Sequence, residues 1–178
     1  RRCGSGRLGG PHPRLLESPP RRPGSRAQEG LEIKGEIIAE SAVRFVRTLD
    51  APPERIWAFL TESQLLPEWY GEGHIEPREG GAVSLMGGHI RGVVTGWRPN
   101  QFLAYTWNVF SPGETQSRFP ISYLEFTLEE SRLTLIHRPI PDAMQKQTMM
   151  GWHTMLDLMD AGLRGTFPKR AEIFPTNA

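Results

Sequence analysis

Residues 142–164 read DAMQKQTMMGWHTMLDLMDAGLR and hold five of the chain's six methionines. Trp152, Met155, Leu156, Met159 and Leu163 recur at the spacing of one α-helical face. A helix of this length spans about 35 Å at 1.5 Å per residue, enough to cross a sheet. Thioether side chains fill irregular space and tolerate imperfect shape match. The face therefore predicts either a loosely closed core or one wall of a pocket. Gly151, costly in mid-helix by about 1 kcal/mol relative to alanine, points to a close approach beside Trp152.

Upstream of this helix the pattern has period two. Residues 37–49 are rich in β-branched and apolar side chains and predict a first strand, stopped at Asp50-Ala51-Pro52-Pro53. Proline suits the first helical turn, so a helix is expected over residues 53–60, with Ile56, Trp57 and Leu60 on one face. Thr61 is placed to cap a second short helix, broken near Pro67 and ended by Gly71. Strands are then expected near Ile75 and over residues 82–86, 89–97, 101–109, 122–128 and 133–137. Turns at Gly80-Gly81, Gly87-Gly88 and Pro99-Asn100 separate the earlier ones. Loops this short imply antiparallel pairing. The expected fold class is α+β: a curved antiparallel sheet of about six to seven strands gripping one long C-terminal helix, with two short helices after the first strand.

Composition bounds the rest. The 178 residues are 38% hydrophobic and 23% charged, as in a globular protein. The first 30 residues hold seven Arg and two Glu, a net of +5 against +1 for the whole chain, so residues 31–178 carry −4. The expected organisation is an Arg/Pro/Gly-rich disordered tail over 1–36, one domain over 37–167 and an extension over 168–178. An acidic domain argues against a nucleic-acid partner. No run approaches a membrane span and no apolar secretory segment is present. The only cysteine is Cys3, which excludes disulfides and thiolate metal clusters within the domain. A cytoplasmic location is expected, and a homodimer is left open.

The ordered motifs Ala51-Pro52-Pro53-Glu54-Arg55-Ile56-Trp57, Trp69, Gly80-Gly81, Leu103-Ala104-Tyr105-Thr106-Trp107, Leu133-Thr134-Leu135-Ile136-His137 and Gly151-Trp152 with Leu156 resemble the SRPBCC superfamily. The nearer resemblance is to its branch named for the activator of the heat-shock-protein-ninety ATPase, over residues 42–164. It implies the helix-grip fold of START domains and the birch-pollen allergen, with a cavity between the sheet and the C-terminal helix. The superfamily includes lipid carriers, aromatic cyclases and proteins without a known ligand, so fold alone leaves function open.

The side chains expected around such a cavity are Trp107, His137 and Trp152, completed by Trp69, Met149 and Met155. Indole N–H and imidazole are polar handles of the kind apolar pockets use; the plainer reading of all six is core packing. The leading expectation is a protein that binds an apolar, aromatic or lipid-like small molecule. The alternatives are a cyclase- or hydrolase-type enzyme using His137 and a co-chaperone-like interaction module. No catalytic set declares itself: His137 has no evident partner, Asp157 and Asp160 look solvent-facing, and Gly-x-Ser-x-Gly and P-loop motifs are absent. His74, His89, His137 and His153 are not at metal-ligand spacing, so neither metal nor cofactor is expected.

Overall fold

The computed structural model describes residues 35–39 and 41–173. Of the tail expected over residues 1–36, residues 1–34 lie outside them, and its last two, Gly35 and Glu36, belong to the first strand. Eight strands form one sheet: β1 (Gly35–Ala39), β2 (Ala42–Thr48), β3 (His74–Ile75), β4 (Ala82–Leu85), β5 (Ile90–Arg98), β6 (Phe102–Val109), β7 (Ser122–Glu129) and β8 (Arg132–Arg138). The helices are α1 (Pro53–Thr61), α2 (Asp142–Leu163) and α3 (Arg170–Ile173), with a 3₁₀ turn at Leu66–Glu68. This is the expected α+β helix-grip architecture. The sheet order is β1-β2-β8-β7-β6-β5-β4-β3, and every pairing is antiparallel. Strands β3 to β8 are a meander. The α1 segment carries the chain from β2 across to the far edge, where β3 begins.

The expected first strand over 37–49 is a hairpin. β1 and β2 pair antiparallel, with Ala39 opposite Ala42, which raises the strand count to eight. Thr61 also departs from expectation. It ends α1, and its hydroxyl donates back to the Trp57 carbonyl (2.8 Å) instead of capping the next turn, a bond open to any helical threonine. The start of α1 is as composition dictates: Pro52 is extended and Pro53 opens the helix, so no N–H is wasted.

One sheet face packs on α2. Along β7, Ser122, Leu124, Phe126 and Leu128 are buried while Tyr123 is exposed and Glu125 and Thr127 are half-buried; along β8, Leu133, Leu135 and His137 are buried. The register sets Leu103 opposite Phe126, Tyr105 opposite Leu124 and Trp107 opposite Ser122, and Leu124 opposite His137. Inward side chains of three strands thus form one layer.

The buried set of α2 is Trp152, Thr154, Leu156, Leu158, Met159, Ala161 and Gly162. Met155 and Leu163, expected inward, are half-buried at its flanks. The arc is wider than one stripe because the C-terminal half of α2 meets α1 as well as the sheet. A Cβ added at Gly162 would lie 2.8 Å from Cε1 of the fully buried Phe59, so the close approach is there. Gly151 is not such a point: a Cβ at that position would meet nothing within 4 Å. Asp157 is not solvent-facing either. It is half-buried, accepting from Nη2 of buried Arg47 on β2 at 3.1 Å, with His153 Nδ1 at 3.6 Å. Among the described residues no helix is long and apolar enough to cross a membrane.

Candidate functional site

Four elements converge near the N-terminal half of α2. Trp107 lies near the end of β6, Ser122 begins β7, His137 is the last inward residue of β8, and Trp152 faces them from α2. Ser122 pairs with Trp107 and His137 with Leu124, two residues further along β7. Ser122 and His137 are therefore diagonal neighbours on one face, within side-chain reach.

Trp107, His137 and Trp152 are brought together, as expected, but packed directly on one another. Ring centroids are 5.0 Å apart for Trp107–His137, 5.4 Å for Trp107–Trp152 and 5.9 Å for His137–Trp152. No ligand-sized space lies among the three rings. The open space is to one side: a cavity of about 60 Å³ lined by Trp107, Ser122, His137, Ile140, Met144 and Thr148, with Phe119 among its other lining residues. That is room for about two water molecules at ~30 Å³ each, well short of the roughly 300–1,000 Å³ of drug-sized pockets.

Hydrogen bonding fixes the chemistry of His137. The Trp152 indole Nε1–H donates to Nδ1 (3.1 Å). A nitrogen that accepts carries no proton, so the imidazole proton sits on Nε2. Nε2–H then donates to Ser122 Oγ (2.8 Å), and the Ser122 hydroxyl donates to the Trp107 carbonyl (3.3 Å). Burial lowers the His137 pKa to about 4, because a charged ring there would lose its hydration. Protonation would also set an Nδ1–H against the indole N–H. The ring is thus held neutral in one tautomer. A base that activates serine must present its free lone pair to the hydroxyl; in this arrangement that nitrogen holds the proton. The Ser122–His137 contact is not a nucleophile–base pair.

The other expected residues are spread out. Trp69 is 2% exposed, with its indole N–H donated to the Phe59 carbonyl (2.7 Å). It borders a separate open groove of about 570 Å³, with Met86, Leu158, Phe167 and Arg170. Met149 and Met155 are half-buried on α2 and pack against the core without lining the small cavity.

Three residues near the site were not among those expected there. Ser122 was findable, since it shares the parity of Leu124, Phe126 and Leu128. Tyr105 shares the face of Trp107. Tyr70 follows the 3₁₀ turn in irregular chain and carries no periodic signal. Its ring joins the cluster, 6.0 Å from Trp107 and 5.8 Å from Trp152. The Tyr70 and Tyr105 hydroxyls meet at 3.4 Å in the core. Both pKa values are raised, chiefly by burial, so both phenols are neutral. Among the described residues no group of three or more His, Cys, Asp or Glu could hold a metal ion.

The sequence model of a family described as Activator of Hsp90 ATPase homolog 1-like protein matches residues 50–164. No curated protein matches the chain by sequence. Among solved structures, protein MLL2253 from Mesorhizobium loti is similar with 24% identity and a TM-score of 0.60, covering 70% of this chain and 98% of that one. CalU16 from Micromonospora echinospora is 23% identical with a TM-score of 0.61, over 76% of this chain and 82% of that one. DynU16, a protein in the dynemicin biosynthetic locus, is 18% identical with a TM-score of 0.63, over 71% of this chain and 49% of that one. Identities this low speak to the fold alone.

Proposed function

The chain belongs to the family of Activator of Hsp90 ATPase homolog 1-like proteins, within the SRPBCC branch, and from that premise we propose that it binds a compact apolar or aromatic small molecule between the sheet and the N-terminal half of α2. Members of this fold often bind ligands, which supports the reading. The observation that carries the reading is the small cavity beside Trp107 and His137, walled by α2 through Met144 and Thr148. Its size requires the wall to give way. The two halves of α2 differ in the sense that this needs. Toward the N-terminus Met144, Met149 and Met150 are only half-buried, whereas toward the C-terminus Leu156, Leu158, Met159, Ala161 and Gly162 are buried. The C-terminal half is further held by Gly162 against Phe59 and by the Arg47–Asp157 ion pair. The N-terminal half is a flexible thioether surface that can re-pack around a guest.

The hydrogen-bonded chain through Trp152, His137 and Ser122 supports binding over hydrolysis, since it consumes the lone pair a base would use. A naphthalene-sized fluorescent probe tests the proposal. Saturable binding is expected in wild type, with at least tenfold weaker binding in Met144→Trp, where an indole would fill the cavity mouth. Unfolding curves of both proteins check that the variant is folded. Absence of saturable binding to wild type, or equal affinity in folded Met144→Trp, overturns the reading.

A further inference from the structure

The Tyr70 and Tyr105 hydroxyls pose an accounting problem. Each is one donor, and each side chain is almost fully buried, at 1% and 2% exposure. Among the described residues the only partner of either hydroxyl is the other. A pair can use one proton between its two oxygens. The second O–H is left without an acceptor inside an aromatic core, which costs about 1–3 kcal/mol. Two phenylalanines would fill the same volume without that penalty.

We propose that this hydroxyl pair is the polar handle of the ligand site, and that its ligand carries a neutral carbonyl oxygen on an apolar, largely aromatic frame. The inference rests on the small-molecule reading above and adds to it the functional group that is recognised. A carbonyl oxygen has two lone pairs and no proton. It accepts from both phenols at once, which satisfies the donor that the pair alone cannot. A hydroxyl or amine ligand would bring a further donor to a place already short of acceptors. A carboxylate would bring a charge into an aromatic core, where its lost hydration counts against it. The frame follows from the walls. Tyr70 meets Trp69, Trp107 and Trp152, and Tyr105 meets Phe126, so flat aromatic surface is what the surroundings accept. Trp107 connects the handle to the outside. It lines the 60 Å³ cavity and its ring stands edge-on to Tyr70, 6.0 Å away. Entry to the hydroxyl pair from that cavity requires this half-buried indole to move.

The test uses two probes of equal shape, 2-acetylnaphthalene and 2-ethylnaphthalene, titrated calorimetrically into wild type and Tyr70→Phe/Tyr105→Phe. Wild type is expected to prefer the ketone by about tenfold, the size that one or two neutral hydrogen bonds supply. In the double variant the two probes should bind within about twofold of each other, with hydrocarbon affinity kept. Denaturant unfolding should show the double variant no less stable than wild type, because it removes an unsatisfied donor. Equal affinity of the probes in wild type overturns the handle and leaves the small-molecule reading standing. A ketone preference that survives in the double variant places the handle elsewhere and overturns this assignment. Failure of both probes to bind wild type removes both proposals.

Discussion

Acid should weaken this protein through His137 in a window its environment defines. Unfolded, the imidazole takes a proton near its ordinary value of 6.5; folded, it resists until about 4. Between those values the unfolded chain holds more protons than the folded one, so stability falls as pH falls. The contribution is complete above pH ~6.5 and is spent progressively toward pH ~4. At about 1.36 kcal/mol per unit of pKa difference, the whole term is about 3 kcal/mol. About 2.5 kcal/mol of it should be gone by pH 4.5. The structural cause is burial, which would strip a charged ring of its hydration; the Trp152 indole N–H, 3.1 Å from Nδ1, acts in the same direction, since a protonated ring would face it donor to donor. The assay is guanidinium unfolding of wild type and His137→Asn at pH 7.5 and 4.5. Asparagine offers an amide oxygen to the indole and does not titrate. Groups common to both proteins cancel, so the stability gap between them should shrink by about 2.5 kcal/mol on acidification. Parallel pH dependence, with a gap constant within about 0.5 kcal/mol, would refute the buried neutral tautomer.

The two α2 glycines should respond oppositely to alanine. Gly151→Ala meets open space and should raise stability by about 1 kcal/mol in denaturant titration, whereas Gly162→Ala drives a methyl into buried Phe59 and should cost about 1–3 kcal/mol. Trp152→Ala empties the centre of the aromatic cluster and should cost about 3–5 kcal/mol; a loss under 1 kcal/mol by calorimetry would mean the cluster does not support the fold. Asp157→Ala removes the carboxylate partner of the buried Arg47 guanidinium and should lower stability by about 1–3 kcal/mol, measured by denaturant unfolding.

Periodicity carried most of the fold. The strands β4 to β8 fall within about two residues of where alternation and turn residues place them, and α2 spans Asp142–Leu163. The inward direction of Trp107 and His137 was readable from strand parity. Three things were not. β1 and β2 read as one strand, because only two residues lie between Ala39 and Ala42 and the run shows no gap. The buried arc of α2 reads as one stripe, because a sequence does not declare that α1 will cover a second side through Phe59. The site itself depends on which polar atoms meet: the Trp152–His137 bond, the Ser122 link and the Tyr70–Tyr105 pair each join positions 15 to 35 residues apart. Parity can orient such side chains but cannot pair them.

The uneven burial of the methionines gives α2 a chemical asymmetry under oxidising conditions. Met159 is fully shielded, while Met144, Met149, Met150 and Met155 are half-buried along the same helix. Peroxide reaches exposed thioethers first, and sulfoxidation turns a flexible apolar group into a polar, chiral one. Damage would therefore begin on the half-buried thioethers, most of them on the wall proposed to yield to a guest, before it reached Met159 in the core. The chain would lose its apolar lining well before its fold, and methionine sulfoxide reduction would restore it.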